Sequence, residues 1–238
     1  MARAALVAAA TTRDRAPKDV ERARLIVVLA TVALNLVAVT AFALWPESNW
    51  RTGLALNLAD NALLFIHVVR WRDRQLAHFV LFGLVVGVVE LAADAWLVDV
   101  TRTLDYSIGG GPQIWRSPIW MPLAWEIVAV QFGYIGMRLW ERWRGLGLLL
   151  AGVLGALNIP FYEEMALRTH WWRYGDCRML LHTPWYIILG EFLIVLWLAW
   201  LARLLRRQQL GATLLTGVLG GAGIFAAYAA AFAVIERF

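Results

Sequence analysis

Long apolar runs separated by short, arginine-bearing polar stretches fill the chain from residue 24 onward. A helix that crosses a membrane needs about 20 mostly apolar residues, each adding about 1.5 Å toward a hydrocarbon core about 30 Å thick. Seven stretches reach that length: 24–45, 52–69, 76–98, 119–137, 145–162, 182–201 and 211–235. The second reads as the least apolar. The runs are continuous and not alternating, so helices are expected and a β-barrel is not. The predicted fold is all-α: a polytopic bundle of seven transmembrane helices over residues 24–238, with long outer loops at 99–118 and 163–181.

Residues 1–23 are expected to form a cytoplasmic arm. The apolar stretch at 4–10 is short, and Arg13, Asp14, Arg15, Lys18, Asp19 and Glu21 follow it, which does not suit a cleaved signal peptide. If the seven spans alternate, 15 of the 22 lysines and arginines fall on the N-terminal side and 7 on the other. Basic residues collect on the cytoplasmic side, so the N-terminus is predicted inside and the C-terminus outside. The net charge of +5 then matches anionic lipid at the inner face and calls for no nucleic acid.

Composition agrees with a membrane protein. Hydrophobic residues make up 61% and charged residues 16%, against nearly half and a quarter in soluble domains. The single cysteine, Cys177, allows no disulfide within the chain. The only lysine, Lys18, lies outside the spans, which excludes a retinal-type Schiff base inside the bundle.

Four spans carry a carboxylate inside the apolar run: Asp60, Glu90, Glu126 and Glu191. Counted from the outer ends of their spans, all four lie about 10–14 Å deep. No lysine or arginine shares that depth. An intramembrane carboxylate costs at least a few kcal/mol, so it normally faces the bundle interior, finds a partner or serves a function. Removal from water without a cation favours the protonated form, and a protonated acid in a dry pocket is a general acid. Those four are the candidate catalytic residues. The simpler reading makes them neutral acids that lock helices together.

Neighbouring residues extend the candidate site. Asn57, Asp60 and Asn61 share one face of the second span, and Glu90 and Asp94 one face of the third. Asn158 precedes Pro160, which frees a backbone carbonyl. Trp96 and Trp125 stand close in sequence to buried acids, and an aromatic face beside a carboxylate suits a cationic species. Trp45, Trp50 and Trp115 read as interfacial anchors. His67 reads as a hydrogen-bonded packing residue.

The segment 158–191 is the densest in chemistry, with Tyr162, Glu163, Glu164, Arg168, His170, Trp172, Asp176, Arg178 and His182. It reads as a mouth over the acid layer, with Arg168 and Arg178 paired to Glu163, Glu164 or Asp176. Tyr162, Glu164, Trp172 and His182 join Asn57, Asn61, Asp94, Trp96, Trp125 and Asn158 as candidate substrate-binding residues. The two histidines and scattered acids lack the ligand spacing of a zinc site, so no metal and no cofactor is expected.

Three resemblances point to isoprenoid chemistry. The length and seven-span layout resemble the integral-membrane meroterpenoid cyclases, which protonate an epoxide or olefin with a buried acid. Glu90 matches the first acid of that family, and the second would lie on the last span, which has no acid before Glu236. Trp172, Tyr174, Asp176 and Arg178, followed by Glu191, resemble the emopamil-binding-protein type of sterol isomerase. Pro160 with Glu163 and Glu164 is similar to the P-x-E-E of helical lycopene cyclases, displaced by one residue. The resemblance implies a cyclase or isomerase acting on a lipid-soluble isoprenoid, with Glu90 as leading proton donor and membrane lipid around it. A cation-coupled transporter and a non-catalytic membrane partner subunit are the alternative readings.

Overall fold

The computed structural model describes residues 16–236. Residues 1–15 of the expected arm, and 237–238, lie outside them. The described part of the chain is all-α and about 80% helical. Its seven long helices are α1 (Ala16–Ala43), α2 (Trp50–Trp71), α3 (Arg74–Trp96), α4 (Met121–Trp143), α5 (Gly145–Arg168), α6 (Trp185–Ala202) and α7 (Leu210–Glu236). Asn49 caps α2 by accepting from the Arg51 N–H, and Asp73 caps α3 by accepting from the Leu76 N–H.

Six of these helices are long and apolar enough to cross a membrane, and α2 is one of them. The exception is α4, which has the length at 23 residues but too many polar positions. Its place in the bundle explains why. It packs against α3, α5 and α6, with α1 and α2 also touching it. Enclosed by protein, it buries Glu126, Gln131 and Tyr134 among other helices and not in lipid. Around it, α3 packs along α7, and α6 along both α5 and α7.

Close approach between helices depends on glycine. Gly217 and Gly221 of α7 rest on Val85 and Val89 of α3, and Gly87 of α3 lies against the backbone of Pro122 at the start of α4. Small residues allow such contact where no hydrophobic effect drives helices together in lipid.

Several helices run further than the apolar pattern suggests: α1 begins at Ala16, inside the expected arm, and α4 continues to Trp143. Helix α3 continues through a π-turn at Leu97–Thr101. Helix α5 passes Pro160 and ends only at Arg168, so Glu163 and Glu164 are helical and the loop is shorter than 163–181. Proline is tolerated inside membrane helices because neighbouring groups satisfy the freed carbonyl.

The two outer loops are joined to each other. Strand β1 (Leu104–Asp105) pairs antiparallel with β4 (Arg173–Tyr174), with Leu104 opposite Tyr174. The Arg173 guanidinium lies 2.8 Å from Asp105. Two short hairpins complete this cap: β2 (Gln113–Ile114) with β3 (Ser117–Pro118), and β5 (Met179–Leu180) with β6 (Thr183–Pro184). Trp45 and Trp115 are exposed at this end of the bundle.

At the opposite end, the buried Arg24 of α1 grips Asp73 in the α2–α3 turn through Nε and Nη2, at 2.7 and 2.8 Å. His67 Nε2 is 3.3 Å from the same carboxylate. Burial would raise the Asp73 carboxyl, but the bonds from Arg24 and the Leu76 N–H, with the Arg24 charge and His67, hold it below its usual value.

Candidate functional site

Four carboxyl groups meet beneath the cap. Glu90 and Asp94 stand one turn apart on α3, Glu163 comes from α5 and Glu191 from α6. Asp94 accepts hydrogen bonds from the Tyr106 and Ser117 hydroxyls, both at 2.7 Å. Glu163 accepts from the Trp172 indole N–H at 2.5 Å. Glu191 accepts from the Tyr228 hydroxyl of α7 at 2.6 Å. Neither oxygen of Glu90 accepts from an N–H or hydroxyl donor among the described residues; its one neighbour within hydrogen-bond reach is the Asp94 carboxyl, a contact that needs a proton on one of the two acids. Glu90 is within Coulombic range of Asp94 and Glu191, and Glu163 within range of Glu191 and Asp94. Among the described residues, no lysine or arginine forms an ion pair with any of the four.

An aromatic shell surrounds this cluster. Trp172 stacks with Tyr162 at 6.5 Å between centroids, meets Tyr106 edge-on at 6.1 Å and leans on Trp120 and Trp171. Trp125 meets Tyr228 edge-on at 6.4 Å. Burial, then the Asp94 charge, pushes the Tyr106 hydroxyl well above its usual value, and burial with Glu163 does the same for Tyr174. Both cap tyrosines therefore remain neutral donors.

The cluster forms the head of a slot of about 290 Å³. Asp94, Glu163, Glu191, Tyr174 and Trp172 line its closed end. Helix α4 lines it from Met121 to Gly136, about 22 Å of helix. Away from the cap the walls turn apolar, with Val32, Leu36, Val128, Phe132, Ile135 and Leu154. Leu36 of α1 and Leu154 of α5 are 43% and 47% exposed. The apolar end thus opens sideways between α1 and α5, on a surface that faces lipid in a membrane.

The four acids expected to share one cavity are all buried: Asp60, Glu90 and Glu126 at 0% exposure and Glu191 at 5%. Of these, Glu191 lines the slot, and Glu90 sits next to the lining Asp94. Asp60 points toward α1, where Asn35 donates to it at 2.6 Å, and Asn35 in turn accepts from Tyr162 at 3.2 Å. Glu126 lies where α4 meets Gly83 of α3, beside Asn61 and outside the slot. Its two oxygens, and Oδ1 of Asp60, have no partner among the described residues.

The other expected residues also divide. Asn57, Asp94, Trp125, Asn158, Tyr162 and Trp172 line the slot. Trp96 instead packs on Phe225 and Phe232 of α7. Asn61 donates to the Asn57 carbonyl. Glu164 turns outward to Arg168 at 2.7 Å and to the exposed His182 at 2.5 Å. Of the arginines expected at the mouth, Arg178 meets Glu236 through its backbone N–H and not an acid of its own loop.

Sequence reasoning placed Glu163 at the mouth as an ion-pair partner and Tyr174 in the sterol-isomerase resemblance, and counted neither as a site residue; Tyr106, Tyr228 and Ser117 it did not single out. Glu163 had a usable signal. Continued past Pro160, the helix places Asn158, Ile159, Tyr162 and Glu163 on one face by their i, i+4 spacing, with Glu164 turned away. The cap residues had none, because their approach to Asp94 depends on how two loops pair.

Among the described residues, no group of three or more His, Cys, Asp or Glu side chains is placed to hold a metal ion. Residues 91–235 match the model of a family described as Domain of unknown function (DUF6989). That segment contains Asp94, Glu163 and Glu191. No curated protein and no solved structure matches the chain.

Proposed function

The chain belongs to the DUF6989 family, and from that premise we propose that it is a membrane-embedded cyclase or isomerase of a lipid-soluble isoprenoid, driven by acid catalysis. One observation carries this reading. Three carboxyl groups without a cation, Asp94, Glu163 and Glu191, converge at the aromatic-walled end of a slot whose other end is apolar and open to the side, and Glu90 stands behind Asp94. An isoprenoid enters between α1 and α5 and rests its chain on α4, bringing its reactive end under the cap.

A proton donor must come within hydrogen-bond reach of the substrate. Glu163 and Glu191 line the slot and are the acids placed for it; Glu90, beside Asp94 and near Glu191, is the group that resupplies the proton. The carboxyl O–H delivers its proton to an olefin carbon or epoxide oxygen. The resulting cation is closed by a neighbouring π bond, or rearranged, beside the faces of Trp125 and Trp172. Asp94, poised by two hydroxyl donors, takes the final proton. Substrate and product are isomers, so no oxidant or reductant is consumed.

In the same reading all seven helices cross the membrane, α4 within its ring of neighbours, with the N-terminus cytoplasmic and the cap outside. The excess of basic residues at the Arg24 end supports that orientation.

The test is to incubate purified protein with an isoprenoid-containing lipid extract and to follow bound and released isoprenoids by mass spectrometry and NMR. Glu163→Gln or Glu191→Gln should lower turnover by about 10²-fold or more with binding retained, the effect of a positioned acid. Full activity in both variants, or absence of any bound isoprenoid, defeats the proposal. Proton-coupled uptake into proteoliposomes by the wild type would instead favour a transporter.

A further inference from the structure

The arginine-rich end of the bundle holds a second cavity, of about 620 Å³, bounded by the start of α1, the α2–α3 turn, the inner end of α4 and the segment after α6. The reaction proposed above makes no use of it. Arg24, Arg72, Arg74, Arg138 and Arg206 line it, against two carboxylates, Glu21 and Asp73. Both carboxylates are already engaged. Asp73 holds Arg24, His67 and the Leu76 N–H, and Glu21 holds Arg138. Arg206 is bound to Glu141.

Arg72 and Arg74 are left over. Among the described residues, neither forms an ion pair. Arg72 takes up φ 50 as the left-handed cap of α2, its N–H bonded to the Val68 carbonyl. A position that favours glycine or asparagine therefore carries an arginine at the cavity wall.

A third group faces the same space. Tyr134 is 1% exposed and lines the cavity, and its hydroxyl, which lies beside the Arg24 guanidinium, finds no acceptor for its proton among the described residues. A buried hydroxyl proton without an acceptor costs free energy unless a ligand satisfies it. Two unpaired guanidinium groups and one hydroxyl without an acceptor make a donor set suited to a phosphate oxyanion, with planar guanidinium N–H groups able to bind in pairs.

We propose that this cavity binds a phosphate group, held by Arg72, Arg74 and the Tyr134 hydroxyl. The group arrives on an anionic phospholipid of the adjacent leaflet or as a free phosphate in solution, and the chemistry of the pocket is the same for both.

The experiment uses the full-length protein in detergent, with native mass spectrometry and thermal unfolding as readouts. The probes are dioleoylphosphatidylglycerol, dioleoylglycerol with the same chains but no phosphate, and inorganic phosphate. Phosphatidylglycerol should bind and raise the melting temperature, and dioleoylglycerol should do neither. Arg72→Gln with Arg74→Gln should weaken phosphatidylglycerol binding about ten-fold or more. Tyr134→Phe preserves the packing of the ring and should weaken it about five-fold, so it serves even if the double variant fails to fold. Arg142→Gln and Arg207→Gln lie at the same end outside the cavity and should change nothing. Displacement of the lipid by inorganic phosphate assigns the site to a free phosphate; resistance to displacement assigns it to the headgroup. Equal binding of phosphatidylglycerol and dioleoylglycerol, or equal losses in the cavity and control variants, overturns the proposal.

Discussion

Glu163 and Glu164 are adjacent and chemically alike, yet they face different surroundings. One helical step of about 100° sends Glu163 to the Trp172 indole and Glu164 to Arg168 and His182. Glu164→Gln should accordingly leave turnover within about two-fold, where Glu163→Gln loses about 10²-fold; comparable losses in both would move the chemistry to the loop mouth. The same dependence on atomic position governs Gly87. A Cβ there would lie 2.0 Å from the Pro122 carbonyl oxygen, and backbone cannot yield as a flexible side chain can. Gly87→Ala should destabilise the protein by about 1–3 kcal/mol, the usual cost of overpacking, seen as a lower melting temperature in detergent. An unchanged melting temperature would show that α3 and α4 are less closely packed.

At the scale of elements, the position of α1 relies on few contacts, and the Arg24–Asp73 pair anchors it to the α2–α3 turn. Removing one partner of a buried pair leaves an uncompensated charge and costs about 3–5 kcal/mol. Asp73→Asn should cost that much while keeping a residue able to cap α3. The pair also sets a pH dependence. Asp73 has a folded value below its ordinary 3.8, so its stabilisation is complete above about pH 4 and is lost as pH falls through the lower folded value. Melting curves from pH 6 to pH 3 should show a loss of stability in the wild type that Asp73→Asn lacks. Parallel losses in both proteins would assign the acid sensitivity to other groups.

For the whole molecule, the proposed seven-span arrangement puts the cap outside and the arginine-rich end inside. The natural Cys177 is half-buried, and burial together with Glu236 and Asp176 pushes its thiol up to about 12, which makes it a poor nucleophile near neutral pH. In a Cys177→Ala background, Ile114→Cys in the cap should label with an impermeant maleimide from outside the cell. Gln209→Cys, before α7, should label only after the membrane is permeabilised. The reverse pattern would invert the orientation and place the cap inside.

The apolar pattern by itself determined where the long helices lie, because burying backbone polar groups in hydrocarbon leaves a chain few other options. It also located the carboxyl groups that resist lipid, since each is a local departure from its surroundings. The polar residues of α4 stand in the sequence too, although the second stretch read as the least apolar; what the sequence did not indicate is that neighbouring helices enclose α4 and so make its polarity tolerable. Nor did the pattern separate Glu191, which reaches the slot, from Glu126, which is packed against Gly83. The side of a helix that faces a cavity depends on which helices flank it, and those contacts join residues far apart in the chain. The pairing of Leu104 with Tyr174 is the clearest case: it closes the cap and brings Tyr106 and Trp172 over the acids, and only the tertiary structure decides it.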